Sequence, residues 1–193
     1  MSDVVESFTA ETLAWRPYVA PILLEHATEA QRAALQETPS NTKVSDYVLV
    51  LAHDPQSLGE RTKLFNGIMY ARGGLARAER ELGATVASVL NHCIYCASVH
   101  SARYIQLARR PEVIEQVFAG TPESLPARER AIADFAVKLS ACPPAAGAAE
   151  MQALRDAGLS DAEVLDLVLS VAVFGWANRL MHTLGEPIRP VSD

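Results

Sequence analysis

Apolar residues recur at intervals of three and four positions along most of this chain. Between positions 75 and 90, for example, Leu82, Val86 and Val89 share one face of a helix. No stretch shows the sustained alternation of apolar and polar residues that marks half-buried strands. The pattern predicts helices over residues 28–37, 44–53, 58–72, 75–90, 93–109, 128–139, 148–157 and 160–183. We therefore expect an all-α fold.

The chain divides into an N-terminal extension, residues 1–43, and a helical domain, residues 44–193. The first 25 residues contain two prolines and lack helical spacing, so we expect them to be irregular. Trp15 and Tyr18 are candidate anchors of this extension onto the domain.

Two predicted helices begin with a capping box, in which the first side chain and the one three residues later bond each other's backbone N–H. Thr28 with Gln31 and Ser160 with Glu163 have this spacing. The helix over 160–183 is apolar on nearly every face. We expect it to be buried within the fold, or covered partly by another subunit.

The chain contains a weak internal repeat with an offset of fifty positions. Residues 75–82 resemble residues 125–132, and the apolar spacing that follows each copy agrees. Three residues of the first copy have no polar or thiol counterpart in the second: Glu81 corresponds to Ala131, Cys93 to Pro143 and Cys96 to Ala146. Either the fold has two related halves of which the second lacks the chemistry, or these are two ordinary amphipathic helices with Arg and Glu on their polar faces.

The composition favours a packed globular protein and excludes a nucleic-acid surface. Of 193 residues, 49% are hydrophobic and 21% charged, which suits one domain or two small halves with a shared core. The net charge is −6, and no basic run is present. We therefore expect no binding to DNA or RNA.

We expect a cytoplasmic protein with no membrane segment. The first eight residues are polar and acidic, unlike an export signal. The most apolar run, residues 164–177, is shorter than the roughly 20 residues of a membrane helix and contains Asp166. Three cysteines do not form a disulfide framework, so the thiols point to catalysis or metal binding in a reducing compartment.

The reactive residues concentrate in one short stretch, with Cys93, Cys96 and His100. His100 follows Cys96 by four residues, so the two are neighbours on one helix face. It follows Cys93 by seven, about 10 Å along the axis. His100 is therefore expected to be the base for Cys96. Cys96 would attack an electrophile such as a peroxide, and Cys93 would close the disulfide that an external dithiol later reduces.

A third residue, Glu81, becomes relevant if the chain turns back on itself. On one straight helix Glu81 would lie roughly 18 Å from Cys93. A break at Asn91 and His92 would let two helices form a hairpin, in which Glu81 approaches the level of His100. There it could orient the imidazole and take part in a proton relay.

These residues resemble the signature of the AhpD-like alkylhydroperoxidases, in the carboxymuconolactone decarboxylase superfamily. The signature residues are Glu81, Cys93, Cys96 and His100. The similarity continues through residues 154–161 and 178–180 and covers roughly residues 44–185. The nearest branch is that of peroxidase-related proteins without a known substrate.

The resemblance implies an all-helical fold of two related halves, in homo-oligomers that are often trimers or hexamers. It implies hydroperoxide reduction in which Cys96 attacks, Cys93 resolves, and Glu81 and His100 relay protons, with no cofactor and no bound metal. The founding peroxidases have a histidine immediately before the second cysteine. This chain has Tyr95 there, which could still donate a hydrogen bond.

Two alternatives remain open. The first is a non-redox enzyme of the same fold, a decarboxylase or lactone-processing protein, although the decarboxylase members generally lack the thiol pair that this chain has. The second is a metal-binding or scaffold protein in which Cys93, Cys96 and His100 serve as ligands, although no further ligand spacing completes a zinc site. Phe174 and Trp176 are candidates for core or interface packing, or for the wall of a substrate channel.

Overall fold

A computed structural model describes residues 3–36 and 44–190 of the chain. Within those residues the protein has nine α helices and one sheet of two short strands, so the predicted all-α fold is confirmed. The helices are α1 (Glu29–Gln36), α2 (Asp46–Leu51), α3 (Pro55–Met69), α4 (Arg77–Leu90), α5 (Ile94–Ala108), α6 (Pro111–Ala119), α7 (Ala127–Ser140), α8 (Ala148–Asp156) and α9 (Asp161–Leu184). The strands are β1 (Ala14–Pro17) and β2 (Gly185–Ile188).

Helix α4 lies at the centre of the fold, between α5, α7 and α9. Every residue from Arg80 to Ser88 is buried. Small residues allow the close approach: Gly83 faces Leu167 and Val171 of α9, and a methyl group at Gly83 would lie about 3 Å from both. The centre of the molecule is therefore a helix that carries Glu81 in its first turns.

Both predicted capping boxes are present. Gln31 N donates to Thr28 Oγ1 at 3.3 Å, and Thr28 N donates to Gln31 Oε1 at 2.9 Å. Ser160 and Glu163 bond in the same reciprocal way at the start of α9. The predicted end of the first helix, residue 37, lies outside the described residues.

Helix α6 was not predicted from the sequence. Pro111 marks the end of α5, but it also occupies the first turn of α6, where a missing N–H costs nothing. Val113, Ile114 and Val117 are spaced three and four apart and are buried. A proline read as a stop signal is here also a start.

The N-terminal segment pairs with the end of the domain. β1 runs antiparallel to β2, with Trp15 opposite Pro187. Trp15 is buried, and its Nε1 donates to the carbonyl of Met181 at 3.3 Å. Tyr18 is mostly exposed. The expectation of an irregular segment is thus wrong at β1, because four residues are too few to show alternation. The proposed boundary between residues 43 and 44 lies at the end of a stretch, residues 37–43, that is outside the described residues.

The fifty-residue repeat extends to whole helices. α4 and α7 are both 14 residues long and begin at Arg77 and Ala127. The two helices pack against each other. The chain after them differs, because α5 follows α4 after a short turn, whereas a loop with Pro143 and Pro144 precedes α8.

The last helix, α9, packs against α3, α4, α7 and α8. By length and composition it is apolar enough to cross a membrane, but half of its most apolar window is buried inside the fold. It is thus used as a core helix. Its other side exposes Leu165, Leu169 and Trp176.

Candidate functional site

A tight turn between α4 and α5 builds the site. Asn91 ends α4, and His92 adopts a positive φ of 54°, a conformation that histidine tolerates better than most residues. Cys93 N then donates to Ser88 O at 2.9 Å, and Cys93 is the N-cap of α5. The turn folds α5 back along α4 as a hairpin, as the break at Asn91 and His92 led us to expect.

The hairpin brings Glu81 to His100. Glu81 Oε2 lies 2.5 Å from His100 Nδ1. Its other oxygen accepts from Arg77 Nε at 2.7 Å, and Arg77 Nη2 bonds the same oxygen. The Glu81 side chain is 1% exposed and that of His100 is 14% exposed. The buried Glu81 carboxylate therefore holds an imidazole that is itself partly accessible to solvent.

Electrostatics keep Glu81 ionised. Burial by itself raises the pKa of a carboxyl group, but His100 and Arg77 outweigh it and hold the pKa of Glu81 below its ordinary value. Arg77 was not singled out in the sequence, although it precedes Glu81 by four residues, the spacing of a helical ion pair.

The two thiols are buried side by side. Cys93 is 2% and Cys96 5% exposed, and both are free thiols. They hydrogen-bond each other, and the side-chain amide of Asn178 of α9 favours the thiolate form of both and so acts to lower the pKa of each. The amide of Asn178 is itself fixed, because Nδ2 donates to Ser88 Oγ at 3.1 Å and Oδ1 accepts from Asn91 Nδ2 at 3.1 Å.

The hydrogen bond between the thiols makes them unequal. Because the Cys96 thiol donates to Cys93, the pKa of Cys93 is lowered, even though burial opposes this. The same bond and burial raise the pKa of Cys96 well above its ordinary value, and Asn178 and the charge of Arg61 offset only part of that rise. The pair favours a first thiolate on Cys93, and Cys96 needs a base to give up its proton.

A cavity of about 410 Å³, within the size range of small-molecule sites, opens onto this arrangement. Cys96 and His100 line it, together with Tyr95, whereas Cys93 does not. Burial raises the pKa of Tyr95, so its hydroxyl remains protonated. Other polar lining residues include Tyr47 of α2, Arg61 of α3, Tyr70 at the end of α3, and Arg103 of α5 itself.

The remaining candidates fall into two groups. Phe174 lies in this cavity, with its ring centroid 4.3 Å from that of His100, whereas Trp176 lines a separate cavity beside the exposed Cys142. In the described part of the chain, no three His, Cys, Asp or Glu side chains cluster closely enough to hold a metal ion. This arrangement does not favour the metal-site alternative.

Comparison with known families agrees with the signature. The model of the carboxymuconolactone decarboxylase family matches residues 55–121, which include the thiol pair, Glu81 and His100. The resemblance to that superfamily is confirmed. A search of curated proteins gave no significant match.

Solved structures share the fold. The alkylhydroperoxidase AhpD core of a peroxidase-related protein from Ralstonia eutropha JMP134 is 28% identical, with a TM-score of 0.74 over 90% of each chain. A peroxidase-related protein from Silicibacter sp. TM1040 is 23% identical, with a TM-score of 0.73 over 88% of this chain and 92% of the other. The debrominase Bmp8 is 19% identical, with a TM-score of 0.71 over 87% of this chain and 90% of the other. The same helical fold thus occurs both in uncharacterized proteins described as peroxidase-related and in a debrominase.

Proposed function

We propose that this protein is a thiol-dependent peroxidase that reduces hydroperoxides through a disulfide cycle of Cys93 and Cys96. One observation carries the proposal: Cys96 is the thiol that lines the cavity, and its hydrogen-bonded partner Cys93 is not part of the cavity wall. A substrate in the cavity meets Cys96 first, and the resolving thiol is already in place.

In the first half-reaction, the Cys96 sulfur attacks the terminal oxygen of the hydroperoxide. A sulfur–oxygen bond forms, the O–O bond breaks, and the substrate is reduced to its alkoxide. His100 takes the Cys96 proton and passes it to the alkoxide, so the products are an alcohol and a sulfenic acid. Glu81, which accepts from His100 Nδ1, orients the imidazole for this transfer.

In the second half-reaction, the Cys93 thiolate attacks the Cys96 sulfur. The S–S bond forms, the sulfenic oxygen leaves as hydroxide, and the proton released from the Cys93 thiol converts it to water. The lowered pKa of Cys93 supports this role. An external dithiol then supplies two electrons and two protons, returns both cysteines to thiols and is itself oxidised to a disulfide. A reducing cytoplasm and a homo-oligomer, a trimer or hexamer, belong to the same proposal.

Thiol titration with trapping tests the mechanism in a Cys142→Ser background, where only the pair contributes. We expect cumene hydroperoxide to consume two thiols per chain, dithiothreitol to restore them, and Cys96→Ser to abolish the loss. In Cys93→Ser the cycle should stop at a sulfenic acid on Cys96, which dimedone traps. No thiol loss at millimolar hydroperoxide would contradict the proposal, and a sulfenic acid on Cys93 in Cys96→Ser would reverse the two roles.

The fold shared with a debrominase makes a second substrate class worth including. A single-site variant of Bmp8, 19% identical to this chain, has been solved in complex with 2,3,4-tribromopyrrole. The same titration should include that compound. Thiol loss with the bromopyrrole and none with hydroperoxides would replace peroxide reduction by reductive dehalogenation; no thiol loss with either would favour the non-redox enzyme.

A further inference from the structure

Arg61 lies in the wall of the Cys96 cavity and is held between aromatic rings. Its guanidinium carbon is 4.6 Å from the centroid of Phe65 and 5.8 Å from that of Tyr47. Such stacking fixes the plane of the guanidinium, so that little side-chain entropy remains to be lost when it binds a ligand. The mechanism above gives this cation no role.

Arg61 has no acidic partner within residues 3–36 and 44–190. Arg77, by contrast, is paired with Glu81. Arg61 Nε and the hydroxyl of Tyr47 are both buried, and their only polar contact among the described residues is a weak one between the Arg61 guanidinium and that hydroxyl. Buried donors without acceptors are costly, so N–H and O–H groups in this wall are available to donate to the oxygens of a ligand.

Tyr47 is suited to donate to such a ligand. It is 5% exposed, and burial raises its pKa to about 12, so its hydroxyl keeps its proton at any physiological pH. It lies beside the Arg61 guanidinium. A fixed guanidinium and a neutral hydroxyl together form a donor set that fits the two oxygens of a carboxylate.

The charge of the cavity agrees with an anionic ligand. Its described lining contains Arg61 and Arg103 and no Asp or Glu, although the whole chain has a net charge of −6. A cationic pocket in an acidic protein attracts anions selectively. Most of the remaining wall is apolar: Val48, Phe65, Val99, Phe174, Ala177 and Met181.

We propose that this cavity binds hydroperoxides of apolar carboxylic acids, with the carboxylate on Arg61 and Tyr47 and the peroxide at Cys96. Substrate specificity is then set at Arg61. The inference rests on the proposed peroxidase function for the reaction, but not for the binding of the carboxylate.

Matched substrate pairs test the preference by steady-state kinetics. One pair is cumene hydroperoxide and its para-carboxylate; the other is linoleic acid hydroperoxide and its methyl ester. We expect kcat/KM to be at least about tenfold higher for the acid in one pair or both, as for a charge-assisted hydrogen bond, and the ratio to fall as salt is added. Equal values within both pairs would overturn the inference.

Variants locate the effect. Arg61→Gln should bring the ratio of acid to neutral substrate close to one, and Arg61→Lys, which keeps the charge but loses the planar fork, should give an intermediate ratio. Arg72→Gln is the matched control, because this exposed arginine lies outside the cavity lining, and it should change the ratio less than threefold. An unchanged ratio in Arg61→Gln, or an equal loss in Arg72→Gln, would contradict the assignment.

A binding measurement separates this inference from the peroxidase proposal. By calorimetry, the unreactive 4-isopropylbenzoate and decanoate should bind to the wild-type protein at least about tenfold more tightly than their amides, and this difference should disappear in Arg61→Gln or shrink in Arg61→Lys. Carboxylate binding without thiol oxidation would refute the peroxidase and keep the anion site. Thiol oxidation by every hydroperoxide without carboxylate preference would keep the peroxidase and refute the anion site.

Discussion

Helices α4 and α7 start fifty positions apart and have the same length, but their surroundings differ. α4 is enclosed by α5, α7 and α9, and nine consecutive residues of it are buried. α7 buries only Ile132, Ala133, Phe135 and Ala136. At the equivalent position to Glu81, α7 has the half-buried Ala131.

The difference shows how burial fixes the position of a charged side chain. A carboxylate in the enclosed helix loses its hydration and must be compensated by partners, which fixes its position. Glu81 is compensated by Arg77 and His100, and so His100 is held in one orientation at the cavity. On α7 the acidic residue Glu129 instead pairs with Arg110 near the surface, where water still hydrates part of both charged groups.

The chain after each helix differs in a second way. After α4, a turn at Asn91 and His92 leads directly into α5, so Cys93 and Cys96 lie at the start of a helix that packs on α4. After α7, Pro143 and Pro144 stand where the next helix would begin, and α8 starts only at Ala148. The second half therefore keeps the long helix but lacks a helix start with the thiol pair.

The largest expected effect comes from the buried carboxylate. Glu81→Gln should lower the free energy of unfolding by about 2–4 kcal/mol. Loss of one partner from a fully buried ion pair costs somewhat more, but here Arg77 and His100 are partly exposed. Glu129→Gln, the control on α7, should cost no more than about 1 kcal/mol. Urea unfolding measures both. Equal costs for the two variants would mean that burial does not make the carboxylate of α4 more important for stability than that of α7.

The hairpin was predictable from the sequence because its determinants are local. Helix geometry makes three of these determinants recognisable in the sequence. They are the break at Asn91 and His92, the four-residue spacing of Cys96 and His100, and the repeat of fifty positions. Arg77 could have been found by the same rule, since it lies one turn before Glu81.

The rest of the site depends on tertiary packing. Tyr47 lies on α2, Arg61 on α3 and Asn178 on α9, and no spacing in the sequence relates them to the thiols. The hydrogen bond from Cys96 to Cys93 likewise depends on side-chain positions, which is why the inequality of the two thiols was not predicted. Local pattern identified the thiol pair, Glu81 and His100 as candidates, whereas the residues that complete the cavity wall were found only in the structure.

The stabilising effect of Glu81 should depend on pH. Its pKa is lowered in the folded protein, so the unfolded chain holds the proton more tightly. The contribution is fully present above the unfolded pKa, near 4.5, and is lost as the pH falls through the lower folded value. The difference in unfolding free energy between wild type and Glu81→Gln should therefore shrink as the pH falls below about 4.5. A difference that persists unchanged at pH 3 would contradict an ionised Glu81.

The thiol pair should respond to single substitutions with opposite signs. In a Cys142→Ser background, Cys96→Ala removes the donor to Cys93, so the pKa of Cys93 should rise. Cys93→Ala removes the acceptor from Cys96, so the pKa of Cys96 should fall. Thiolate absorbance at 240 nm across a pH titration reports both. Shifts in the same direction would show that the two thiols do not share a hydrogen bond. Burial, and not the hydrogen bond, would then be the cause of the raised pKa of Cys96.

The smallest expected effect compares the two helices at Gly83 and Ala133, which are also fifty positions apart. Ala133→Gly should cost about 1–2 kcal/mol, because a buried methyl group and helix propensity are lost together. Gly83→Ala gains about 1 kcal/mol of helix propensity, but its methyl group would lie 3.0 Å from Leu167 Cδ1 and 3.1 Å from Val171 Cγ2. The two contributions should nearly cancel and leave a net loss below about 1 kcal/mol in thermal or urea unfolding. A clear stabilisation by Gly83→Ala would mean that α9 can withdraw from α4, and that the close approach in the first half does not depend on the glycine.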